Sequence, residues 1–135
     1  MTGTQLLSGP GADGSMVARN LDMSDPRLEG AVTITYEEDS GVEDGPGTFW
    51  STVTVTNDEG SWQGQSIGFV DEQESHRHMG WFKGDGAYEG LAFIEQLTEA
   101  NPDLPSAGIR LDVVGLVYEG ELPPMVLPAW APVTD

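Results

Sequence analysis

Apolar and polar residues alternate along most of this chain in short runs, and the runs are separated by glycine, proline, asparagine and aspartate. A period of two puts successive side chains on opposite faces of an extended segment, so such runs predict β-strands with one face against a core. Leu28 to Tyr36 sets Val32, Ile34 and Tyr36 against Ala31, Thr33 and Thr35, and the threonine side reads as facing solvent. Thr48 to Thr56 gives one face to Phe49, Ser51, Val53 and Val55 and the other to Trp50 and three threonines, before the turn Asn57-Asp58-Glu59-Gly60. This is the clearest hairpin. Ser61 to Val70 answers with Trp62, Gly64 and Gly68 on one face, a large and small alternation that suits a tapering barrel interior. In Glu74 to Lys83 the face of His76, His78, Gly80 and Phe82 reads as inward, because the other carries Arg77 and ends at Lys83. Leu91 to Thr98 groups Leu91, Phe93, Glu95 and Leu97, and Ile109 to Tyr118 groups Ile109, Leu111, Val113 and Val117.

Weaker strands at Thr4 to Ser8 and Ser15 to Met23 flank the glycine-rich connection Gly9 to Gly14, and Asp25-Pro26 breaks the second of them. The expectation is an all-β chain, a single closed antiparallel barrel of about eight strands over residues 1–122, followed by a Pro-rich tail at 123–135. Under about a tenth of it should be helical. Closure satisfies the strand edges, and an eight-stranded barrel has room inside for side chains or one small ligand. The outward faces are not fully polar: Val114, Leu116 and Tyr118, with a tail containing Trp130, predict a covered outer wall and a homo-oligomer.

Composition narrows the function classes. A chain of 135 residues is one domain. Its 23 acidic and 5 basic residues give a formal charge of −18, which repels nucleic acid and anionic membranes. With no cysteine there is no disulfide, thiolate catalysis or Cys-based metal site. The absence of a long apolar run and of a basic, apolar start predicts a cytoplasmic protein by default.

Motifs add fold more than chemistry. Gly84-Asp85-Gly86-Ala87-Tyr88-Glu89-Gly90 holds three even-numbered glycines of a tight corner, with Tyr88 packed over it. A phosphate cradle is disfavoured, because no βαβ succession surrounds the run and no Lys or Arg lies within it. A helical Leu91 to Leu97 is the competing reading of the next segment. Gly64-Gln65-Ser66-Ile67-Gly68 matches the nucleophile-elbow pattern, but that motif works as a strand-to-helix turn and here runs through a strand. The acidic stretch Glu37 to Gly47 lacks the ligand spacing of a calcium loop.

The corner Gly84 to Gly90, together with Gly60-Ser61-Trp62-Gln63-Gly64 and Gly115-Leu116-Val117-Tyr118-Glu119-Gly120, resembles the allene oxide cyclase and dirigent barrel superfamily, a lipocalin-like architecture, in a bacterial-type form. The likeness spans residues 20–120 in layout and only those short motifs in letters. It implies a shaped cavity for an apolar or amphipathic small molecule, with confinement-type cyclase or isomerase activity. The polar pocket residues of the plant cyclases match no position here, so none is carried over.

Candidate chemistry therefore comes from residue types on the inward faces. Glu95 among Leu91, Phe93 and Leu97 is a carboxylate whose desolvation would suit it to general base work, with His78 and Tyr36 as partners. His76, Phe49, Val53, Trp62, Phe82 and Phe93 are the candidate ligand-binding residues. His76 and His78, two apart on a strand, are also spaced to chelate a metal with Glu74 or Glu95, but no supporting pattern accompanies them, and neither metal nor cofactor is assigned. A non-catalytic carrier and a filled structural barrel stand as alternatives, and the volume of the interior separates the last from a binding site.

Overall fold

Eight strands close into one antiparallel barrel in the computed structural model, which describes residues 1–11, 14–36, 47–73, 75–99 and 109–122. They are β1 (Thr2–Pro10), β2 (Met16–Leu21), β3 (Gly30–Tyr36), β4 (Gly47–Thr56), β5 (Gly60–Val70), β6 (His76–Gly86), β7 (Leu91–Glu99) and β8 (Ile109–Glu119). Each strand pairs with the next, and β1 pairs with β8, so every edge is satisfied. The alternation read from the sequence sets the inward faces: Val32 and Ile34, Phe49, Ser51, Val53 and Val55, and Leu111 and Val113 are all buried. Leu91 to Leu97 is strand rather than helix, and Gly64 to Gly68 lies within β5. The acidic stretch 37–46, Glu74 and the Pro-rich tail 123–135 lie outside the described residues.

One end of the barrel is plugged. Asp25 caps a 3-10 turn at Pro26–Leu28, where the sequence predicted a break at Asp25-Pro26 and a strand already from Leu28; the Asp25 carboxylate accepts from the Arg27 backbone N–H at 3.1 Å and from the guanidinium Nη2 at 2.6 Å. The turn buries Leu28 completely beneath the barrel. Above it Trp62 stacks on Tyr88 at 5.0 Å between ring centroids and meets Phe93 edge-on, while Phe93 stacks on Phe82 at 4.2 Å. Trp62 Nε1 donates to the Arg27 carbonyl at 3.0 Å, so the plug is hydrogen-bonded as well as apolar. The corner between β6 and β7 makes this possible, because Gly86 (φ 66°) and Gly90 (φ 86°) hold left-handed backbone and turn Tyr88 back over the end. Tyr88 OH donates to Asn57 Oδ1 at 2.9 Å and fixes the corner to the β4–β5 hairpin.

A second apolar cluster lies outside the barrel. Trp50, Ile67 and Trp81 are buried on the outer wall of β4, β5 and β6, with Ile94 and Leu122 packed against them. The Trp50 and Trp81 rings meet edge-on at 6.0 Å. Trp50 Nε1 has no hydrogen-bond partner.

Candidate functional site

The half of the barrel beyond the plug carries the polar residues. Glu95 points inward from β7, and the residues paired with it on both neighbouring strands are glycines, Gly80 on β6 and Gly115 on β8. Neither projects a side chain beside the carboxylate. A Cβ at Gly80 would sit 2.7 Å from the Phe82 ring and 3.4 Å from the Glu95 Cγ, and one at Gly115 would run into the Ile94 carbonyl oxygen. On β5 the same device lets rings lie flat across the strand, since a Cβ at Gly68 would meet Phe49 Cζ at 2.6 Å and one at Gly64 would meet Phe82 Cδ1 at 2.7 Å. The glycines of the inward faces thus shape a recess around Glu95 and His78.

Glu95, His78, Tyr36, Phe49, Val53 and Phe82 share the lining of one interior void with Gln5, Ile34, Ser51, Ser66 and Leu97. The void measures about 10 Å³, room for a single water. Over it lies a run of rings: Tyr36 meets Phe49 edge-on at 5.9 Å, Phe49 meets His78 at 4.5 Å, and His76 lies 5.7 Å from His78. His76 is half-buried at the start of β6 and does not line the void. Trp62 and Phe93, expected beside a ligand, are instead parts of the plug. Among the described residues no cluster of three or more His, Asp or Glu is arranged to hold a metal ion.

The electrostatics of the recess follow from burial. Glu95 is 5% exposed, and desolvation pushes its carboxyl up to about 8, so it is predominantly a neutral acid at pH 7. His78 is 8% exposed; desolvation, helped by the nearby His76, pushes its imidazole down to about 3 and keeps it neutral. Burial also raises the Tyr36 phenol above its usual range. Two neutral groups of opposite proton affinity therefore face one void. Glu95 Oε2 and His78 Nε2 are both buried without a hydrogen-bond partner, a costly condition for atoms of this kind.

Three other polar side chains of the interior are occupied. Gln5 Nε2 donates to Asn20 Oδ1 at 3.0 Å, Asn20 Nδ2 donates to the Leu28 carbonyl at 2.9 Å, and Ser51 Oγ donates to the Ser66 carbonyl at 3.4 Å. Sequence reasoning passed over Gln5, Ser51 and Ser66 as site residues. Ser51 was legible, since it interrupts the apolar face of β4; Gln5 sits in a strand whose pattern is too short to assign faces. Compared with known proteins, the chain matches no family model, no curated protein and no solved structure.

Proposed function

We propose that the recess around Glu95 and His78 binds a small, uncharged amphipathic molecule, that these two side chains hydrogen-bond its polar group, and that Glu95 can move a proton on it. The observation that carries this reading is the pair of buried, unpartnered atoms, Glu95 Oε2 and His78 Nε2, facing one void. A bound carbonyl or hydroxyl would satisfy both. The ligand is uncharged because no Lys or Arg lines the recess and the chain carries −18, so a carboxylate would enter without a counter-charge. Its apolar part would lie against Ile34, Phe49, Val53 and Leu97.

A carboxyl that titrates near neutral pH suits proton transfer at a carbonyl or enol, with Glu95 donating to oxygen and taking the proton back, while the neutral imidazole of His78, too weak a base at about 3, hydrogen-bonds the same polar group. This is the chemistry of an isomerase or cyclase, and the resemblance of the glycine corners to allene oxide cyclase and dirigent barrels supports the same class. A ligand larger than water requires Tyr36 and Phe49 to swing aside, since the plug closes the opposite end. A second reading has its own observation. The void of about 10 Å³ has room for no more than one water, far below the roughly 300 Å³ or more of a small-molecule site, so the volume as it stands favours a filled structural barrel, and the ligand reading requires the recess to open.

Titration with phenylnaphthylamine, an uncharged apolar dye, separates the two. Wild-type protein should enhance its fluorescence saturably, and Ser66→Leu, which fills the recess, should weaken binding about ten-fold or more. No binding to the wild type, or equal binding to folded Ser66→Leu, defeats the proposal.

A further inference from the structure

The charge of this chain is distributed by position in the barrel. Acidic side chains crowd the connections at its two ends, including Asp22, Asp58, Glu59, Asp71, Glu72 and Glu89. The side wall is different. Outward positions of the described strands carry Arg19, Arg77, Lys83 and Arg110, four of the five basic residues of the chain, against Asp112 and, at the last turn of β6, Asp85. Among the described residues, a molecule of net charge −18 is therefore locally neutral to basic around its waist. Two copies meet least repulsion when they approach side by side.

One sector of that wall is also apolar. Five large apolar side chains are exposed among the described residues, and Phe69, Met79, Val114 and Leu116 all belong to the wall of β5 to β8. Val114 is 58% exposed and Leu116 57%, far beyond what an outward strand position facing only water favours. With Met79 and Ile94 they line a shallow groove of about 360 Å³. Strand pairing makes the patch continuous: Met79 pairs with Gln96 and Gln96 with Val114, and Ile94 pairs with Leu116. The wall of β3, by contrast, presents Ala31, Thr33 and Thr35.

We infer that the wall of β6 to β8 is the seat of a second copy of this chain, in a side-by-side dimer related by a two-fold axis. The same sector supplies both halves of the contact, because the other described walls offer no apolar surface of this extent, and the acidic ends of both barrels point away from the junction. Arg77 on β6 and Asp112 on β8 border the patch, with Arg110 one outward position beyond, so its edge carries no net negative charge to add to the repulsion of the two chains.

Sedimentation velocity on the full chain at tens of micromolar tests this. The expected result is a mass twice that of the 14.4 kDa chain, with association strengthened as salt screens the remaining repulsion. Val114→Asp and Leu116→Lys, of opposite charge and both on exposed positions, should each give a folded monomer, while Thr33→Asp on the far wall should leave the dimer intact. A wild-type monomer at all salt concentrations, a trimer or open series of larger species, or a dimer that survives both wall substitutions would overturn the inference. So would a monomer that dimerises only when residues 123–135 are removed, because the chain's own end would then be the occupant of the wall.

Discussion

Replacing Glu95 with glutamine should stabilise the barrel, and by an amount that grows with pH. In the unfolded chain the Glu95 carboxyl titrates near 4.5, and in the barrel near 8, because the recess removes its hydration and gives Oε2 no partner. Between those values the folded state holds a proton that the unfolded state has released. Stability from this group is thus fully present below pH 4.5 and falls as pH rises toward 8. At roughly 1.4 kcal/mol per pH unit, the loss is about 3 kcal/mol at pH 7 and about 5 kcal/mol above pH 8. Glutamine imitates the protonated acid in shape and cannot ionise. Urea unfolding followed by tryptophan fluorescence at several pH values from 5 to 9 gives the comparison, and the general repulsion of a −18 chain cancels because both proteins share it. The two should match within about 1 kcal/mol near pH 5 and diverge by about 3 kcal/mol by pH 7. A difference that stays constant with pH, or a glutamine variant that is less stable at pH 8, would refute the desolvated, unpaired Glu95 described here.

His78 should act in the opposite sense: its folded value near 3 lies below the unfolded 6.5, so stability is lost as pH falls from 6.5 toward 3, and unfolding at pH 7 and pH 4 should show wild type losing about 3 kcal/mol more than His78→Asn. Because the two groups have opposite slopes between pH 4.5 and 6.5, their combined contribution is flat there. Gly115→Ala should destabilise by about 2 kcal/mol in chemical denaturation, since the new methyl meets the Ile94 backbone rather than a movable side chain; a neutral result would show that β8 yields freely beside Glu95.

The sequence carried the barrel because alternation, turn residues and glycine corners are local signals, and they agree with one another from β3 to β8. Glu95 could be placed inward for the same reason, as the polar member of a face otherwise made of Leu91, Phe93 and Leu97. What remained hidden depends on level along the barrel axis. Trp62, Phe93 and Glu95 all point inward, but the register across β5, β6 and β7 puts the two rings in the plug and the carboxyl above it, and a pattern of period two contains no register. The break at Asp25-Pro26 was legible, but the apolar run that follows drew Leu28, the last residue of the 3-10 turn, into the strand. The roles of Gly80 and Gly115 are equally non-local, since they matter only because both are paired with Glu95.

Carbon-13 NMR of protein labelled at the glutamate carboxyl carbons tests the central claim most directly, by titrating Glu95 with and without phenylnaphthylamine. One resonance, missing from Glu95→Gln, should titrate near pH 8 and shift on addition of the dye. If every glutamate in the described barrel titrates close to 4.5, or the Glu95 signal ignores a dye that binds, then Glu95 is not the desolvated acid of a ligand site.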